Sequence, residues 1–214
     1  MRVSAVGMGF DSEEAVLREA AATAAVTHDH PEGVKGAQAT ALSVFLARRG
    51  ASKEEIRGAV EARFGYDLGR RLDDIRPDYR FHVSCMESVP ESIIAFLESA
   101  CYEDAVRKAV SLGGDADTMG CIAGGIAEAY YGGVPKDIED NVRRRLPQEF
   151  LELLDEMYAK FGNCETLREG GGDNGGEVAE NAGVKKDGGC DKVGDVDDAG
   201  GVEKKGSAED VGAN

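Results

Sequence analysis

The chain has 214 residues, 42% of them hydrophobic and 6% aromatic with no Trp, and a formal net charge of -16. That balance suits a soluble helical core built from Ala, Leu, Ile and Val, and it leaves no basic surface with which to hold nucleic acid through its phosphates. No apolar run is long enough to span a bilayer, and five scattered cysteines without a CxxC pair read as reduced thiols in a cytoplasmic compartment rather than a zinc cage or disulfide framework.

In chain order, residues 1–10 carry no helix signal and read as an irregular or extended lead-in. Asp11 reads as an N-cap completed by Glu14, opening a helix from Ser12 to about Val26 whose stripe is Val16, Leu17, Ala20, Ala21 and Ala24. Thr27-His28-Asp29-His30 ends it before Pro31, which opens a second helix running to Gly50. Ser52 and Glu55 form a capping box for a helix that stops at Phe64-Gly65. Asp67 to Ile75 reads as a short helix and Tyr79 to Val83 as extended. Ser88 and Glu91 read as a further capping box before the apolar face of Ile93, Ile94, Phe96 and Leu97. Helices over Tyr102–Leu112, Pro135–Arg145 and Gln148–Phe161 follow, with no convincing strand and no internal repeat. The expected fold class is all-α over residues 1–164. Residues 165–214 hold thirteen of the 29 glycines, thirteen acids against six bases and no aromatic residue, and read as a disordered acidic tail.

Two places carry chemistry. Gly113-Gly114-Asp115-Ala116-Asp117-Thr118 puts two carboxylates and a hydroxyl directly before a small-residue helix, where free backbone N–H groups and the helix dipole favour negative charge. The paired glycines let the backbone approach a ligand closely. Oxygen donors in that pattern suit Mg, Mn or Ca, and the plain alternative is a capped helix start. The second place is Thr27-His28-Asp29-His30, whose two imidazoles suit a metal or a phosphate or ribose contact, against a polar helix end. His82 reads as a half-buried structural residue, and Arg143-Arg144-Arg145 as a solvated helix C-terminus.

Together the two places resemble a family. Thr27-His28-Asp29-His30-Pro31-Glu32-Gly33-Val34-Lys35-Gly36-Ala37 is similar to the S/T-H-x-H-P-E-G-x-x-G-A motif of ADP-ribosylglycohydrolases, and Gly113 to Gly132 is similar to their G-G-D-x-D-T motif and the small-residue helix after it. Tyr66-Asp67-Leu68 and Ser88-Val89-Pro90-Glu91 resemble the segment between, so the likeness covers residues 1–161. It implies an all-α hydrolase of the glycosidic bond between ADP-ribose and a protein side chain or related small molecule, using two Mg or Mn ions. By resemblance Asp115, Asp117 and Thr118 are metal ligands, Asp115 and Asp117 are catalytic, and His28 and Gly114 face substrate. Met1-Arg2-Val3-Ser4-Ala5-Val6-Gly7 resembles an internal M-R-V-x-P-x-G segment of the family, with Ala5 in the place of proline. The family's Thr-Asp-Asp ligands, which precede the histidine motif, have no counterpart here. Leu72-Asp73-Asp74 is an Asp-Asp pair, but in the wrong order and without the Thr. The resemblance therefore implies a chain that starts partway through the family's domain, with impaired activity. Two other readings stay open: a non-catalytic, crystallin-like scaffold, and an unrelated helical protein whose Asp-rich loop binds calcium.

Overall fold

The computed structural model describes residues 1–161, and among these every regular element is a helix. The expected acidic tail lies outside the described residues. The helices are α1 (Ser4–Gly9), α2 (Glu13–Ala25), α3 (Pro31–Arg48), α4 (Lys53–Phe64), α5 (Leu72–Ile75), α6 (Cys85–Leu97), α7 (Tyr102–Val110), α8 (Ala116–Tyr131), α9 (Lys136–Arg143) and α10 (Gln148–Phe161).

α3, α6 and α8 form the centre, and they run in the same direction. Gly36, in the second turn of α3, lies against Cys85 and Val89 at the start of α6. Tyr79 ties the start of α6 to the start of α8, its hydroxyl donating to the Glu87 carbonyl at 2.9 Å and meeting the Met119 sulfur at 3.4 Å. At the opposite end Phe96 of α6 packs edge-on against Tyr130 of α8, with ring centroids 5.3 Å apart. Lys53, which follows the end of α3, lies 5.2 to 5.6 Å from the rings of Phe96, Tyr130 and Tyr131. The N-termini of all three central helices therefore face one end of the bundle.

The other helices cover these three. α2 runs back along α3, its start held where Arg48 donates to the Phe10 carbonyl at 2.6 Å and to Asp11 at 3.2 Å. α7 runs antiparallel to α8, because Tyr102 and Val106 lie against Gly124 while Val110 lies against Gly120. The glycines on that face are what permit so close a crossing. α10 returns to the centre through the Tyr158 hydroxyl, which donates to Glu128 at 2.7 Å. The core is aliphatic as composition implies, with Leu42, Ile56, Leu68, Leu72, Ile93, Ile94, Met119, Ile122 and Ile126 all essentially without exposed surface.

Three local expectations change. Residues 4–9 are helical rather than irregular: two glycines in six residues suppress local helix propensity, and packing overrides it. A Cβ on Gly7 would stand 2.6 Å from the Ala41 carbonyl, so α1 lies on α3 at a distance only glycine allows. The cap of α2 is Ser12, whose Oγ accepts from the Ala15 N–H at 3.2 Å, and Asp11 is released to pair with Arg48. α6 begins at Cys85 under a Ser84 cap, one turn before the Ser88 box, and carries Pro90 inside it. The donor that Pro90 lacks would have served Met86, which is exposed, and the Glu91 carboxylate turns to Arg70 at 2.8 Å instead of back to a cap. Residues 79–83 form no strand. The Ser52–Glu55 box has both its reciprocal bonds, and Gly65 closes α4 with φ +65°.

Candidate functional site

The Asp-rich loop sits at the mouth of α8, at the end of the bundle towards which α3 and α6 also point their N-termini. Gly113 takes φ +75°, a left-handed turn that swings the chain from α7 into α8. Asp115 is the N-cap by position, but its side chain makes no capping bond. The neighbouring Asp115 side chain and the Thr118 N–H, which donates to Asp117 Oδ1 at 2.9 Å, hold the Asp117 carboxyl below the usual carboxylate range. Hydrogen bonds, and no neighbouring Lys or Arg, account for the shift. Two carboxyls and a hydroxyl within four residues form an oxygen donor set that suits a hard cation. Asp117 is exposed, Asp115 and Thr118 half-buried, so the oxygens are open to the bundle end.

Gly114 serves a close approach, but the group that approaches is the Tyr79 ring. A Cβ at Gly114 would lie 2.5 Å from Tyr79 Cε1. Tyr79 in turn packs edge-on against His82 at 5.5 Å, and His82 Nδ1 meets Glu87 Oε2 at 3.0 Å. His82 is thus the half-buried structural residue expected, while Tyr79 is a support that the sequence motifs did not single out. Its signal was only one aromatic residue, beside Phe81, in the connection before α6.

The histidine motif lies at the N-terminus of α3, at the same end of the bundle. His30 caps the helix, its Nδ1 accepting the Glu32 N–H at 3.2 Å, which requires that nitrogen to carry no proton. His28 is exposed, and its Nδ1 lies 2.7 Å from the Thr27 hydroxyl, itself 2.6 Å from Arg2. That leaves Nε2 of His28 as the outward edge. A Cβ on Gly33 would meet the His28 carbonyl at 2.8 Å, so this glycine lets the loop fold onto the first turn of α3. Of the two imidazoles, one is committed to capping and one remains available.

Asp115, Asp117 and Thr118 fit one side of an oxygen-ligand cation site. Among the described residues no group of three or more His, Cys, Asp and Glu side chains comes together to hold a metal, and Asp73-Asp74 lies on α5. Arg143 closes α9 by pairing with Glu139 at 2.7 Å and Asp155 at 3.0 Å. No helix of the described residues is long and apolar enough to cross a membrane.

Comparison with known proteins fits this picture. The chain is 28% identical to the ADP-ribosylhydrolase ARH3 of Homo sapiens, covering 62% of this chain and 49% of that protein. It is 28% identical to an uncharacterized protein of Archaeoglobus fulgidus, covering 72% of this chain and 54% of that protein, and 27% identical to the ADP-ribosylarginine hydrolase Tri1 of Pseudomonas putida, covering 70% and 42%. The chain thus spans about half the length of the curated relatives it matches. A family model described as ADP-ribosylglycohydrolase matches residues 1–166. With that match laid over the helical bundle and its Asp-rich helix mouth, the chain belongs to the ADP-ribosylglycohydrolase family.

Proposed function

We propose that the chain acts in metal-dependent hydrolysis of the glycosidic bond that joins ADP-ribose to a protein side chain or a related acceptor. The observation that supports this most is the shared end of the bundle. The parallel course of α3 and α8 brings His28 and the Asp115–Asp117–Thr118 oxygens, 87 residues apart from His28 to Asp115, to the same face. Asp115, Asp117 and Thr118 would hold Mg or Mn, and the outward Nε2 of His28 would contact ribose or phosphate. Bound there, a divalent ion lowers the pKa of water and steadies charge at the ribose hydroxyls. The neighbouring Asp115 side chain and the backbone N–H of Thr118 hold the Asp117 carboxyl below the usual carboxylate range, ready to accept that ion. Tyr79, seated against Gly114, fixes the loop that presents the carboxylates. That two relatives are an ADP-ribosylhydrolase and an ADP-ribosylarginine hydrolase supports hydrolysis of an ADP-ribose linkage.

Three donors leave most positions of a six-coordinate ion to water, so manganese binding by this chain is expected to be weak, about 10⁻⁴ M or weaker, and release of ADP-ribose slow. The test is manganese affinity by calorimetry alongside ADP-ribose release from a modified protein, with the wild-type chain and Asp117→Ala. Loss of manganese binding in Asp117→Ala supports the assignment, and unchanged affinity refutes it. Rapid turnover by the wild-type chain alone would refute the expected impairment. One observation favours a scaffold without catalysis: no fuller metal-ligand cluster assembles among the described residues. That reading predicts no measurable manganese binding at all.

A further inference from the structure

A second feature lies on the flank of α6, away from the helix mouths. A cavity of about 470 Å³ opens between α4, the segment around α5, the C-terminal half of α6, and α7. Five basic residues line it: Arg57, Arg70, Arg71, Arg76 and Lys108. Against them stand Asp73 and Glu98, so the wall carries three more positive than negative groups, on a chain whose net charge is -16. Its floor is apolar, with Leu68, Leu72 and Ile94 fully buried and Leu97 nearly so.

The partners of these bases show which charges are already met. Arg70 pairs with Glu91 at 2.8 Å, and Lys108 with Asp104 at 2.5 Å. Glu98 is occupied in accepting the Leu72 N–H at 3.1 Å. Arg76 donates to the Ser111 carbonyl at 2.7 Å and hydroxyl at 2.8 Å, which are neutral acceptors, so its charge is uncompensated. Among the described residues Arg57 and Arg71 pair with no carboxylate, and Arg57 Nε is buried with no hydrogen-bond partner. A buried N–H of a charged group left unmet costs stability. Guanidinium groups converging on one space suit phosphate oxygens, which they can hold through paired hydrogen bonds.

We propose that this cavity is a binding site for a phosphate-bearing small molecule, with Arg57, Arg71 and Arg76 taking the phosphate and the leucine floor receiving any organic part. Its lining shares no residue with the Asp-rich loop, which it approaches only where Arg76 bonds Ser111, two residues before Gly113.

The test is calorimetric titration of the full chain, in EDTA so that no metal-phosphate complex forms, with inorganic pyrophosphate and with ADP. Saturable one-to-one binding is expected, weakening as NaCl is raised. Arg57→Gln and Arg71→Gln should each weaken it about tenfold or more, while Asp117→Asn should leave it unchanged. Arg71 is exposed, so its replacement keeps the fold and carries the test even if Arg57→Gln does not. Equal affinity for the two probes assigns recognition to the phosphates alone, and tighter ADP binding adds the apolar floor; both uphold the site. No saturable binding below about 1 mM, or affinity unchanged in Arg71→Gln and in a folded Arg57→Gln, overturns it.

Discussion

Replacing Gly114 with alanine would put a Cβ 2.5 Å from Tyr79 Cε1, 3.3 Å from Cζ and 3.4 Å from the Arg80 carbonyl. An ordinary contact needs roughly another ångström, so the ring must slide or the loop must lift. The ring is not free to slide. Its hydroxyl is held by the Glu87 carbonyl at 2.9 Å and the Met119 sulfur at 3.4 Å, and its edge rests on His82. Overpacking of this kind costs about 1 to 3 kcal/mol, against about 0.4 to 1 kcal/mol regained because alanine restricts the unfolded chain. Gly114 has no left-handed φ, so backbone strain adds nothing to the cost. Gly114→Ala is therefore expected to destabilise by about 1 to 2 kcal/mol. In a Tyr79→Ala background the obstruction is gone, and the same change should be neutral or slightly stabilising. Urea unfolding followed by helical circular dichroism gives the four stabilities of the cycle, read at constant m. A coupling of about 1 to 3 kcal/mol is expected. If Gly114→Ala costs the same with and without the Tyr79 ring, Tyr79 does not support the loop and its glycine is required for something else.

Three further outcomes follow from the packing and the charges. Gly7→Ala should destabilise by about 1 to 3 kcal/mol in urea, because the backbone carbonyl of Ala41 at 2.6 Å and Val44 at 2.7 Å both block the new methyl. Gly58→Ala, inside α4 with open space around it, should instead stabilise by about 0.5 to 1 kcal/mol, and a cost there would refute the placement of that face. Lys53 is pushed down to about 8, first by burial and then by the neighbouring Lys108. Between pH 8 and the ordinary lysine range the unfolded chain binds the extra proton, so stability attributable to Lys53 rises with pH across that window. Solvent screens a side chain only part-buried, which leaves about 1 to 2 kcal/mol of the larger value the full shift implies. Comparison with Lys53→Met isolates this contribution, and an identical pH dependence in the two proteins would refute it.

What the sequence could and could not disclose divides along contact range. α10 has the limits its apolar spacing predicts, and the Ser52 and Gly65 signals bound α4 as expected, because capping and helical period are local properties. α1 was illegible for the opposite reason: its two glycines argue against a helix, and only Ala41 and Val44, more than thirty residues on, explain why Gly7 is there. Ser88 and Glu91 have capping-box spacing, yet the salt bridge from Arg70 claims the glutamate, and nothing local announces that competition. At the candidate site the Asp-rich loop does open a helix. The simple capping alternative for Asp115 fails, since its side chain makes no bond to the helix N–H groups. The role of Tyr79 and the basic cavity were out of reach, being assembled from segments whose separation in sequence carries no pattern.

The parallel course of the central helices explains how two motifs so far apart come to one end. α3, α6 and α8 have 18, 13 and 16 residues, or about 27, 20 and 24 Å of axis. A chain that leaves each at its C-terminal end must return the whole way before starting the next in the same direction. After α3 the return is made by Tyr66, which lies under Lys35 with 4.5 Å from the amine to the ring centroid, beside the first turns of α3. After α6 it is made by α7, which runs back along α8 and delivers the chain to Gly113. α7 has only nine residues, about 14 Å. The turns before and after it must supply the rest, and the Gly113-Gly114 pair completes that distance while turning the chain through a left-handed φ. The glycines before Asp115 are thus required by the topology itself, whatever the loop binds. A variant that keeps the carboxylates but stiffens Gly113 would test the bundle's return path before it tested any chemistry.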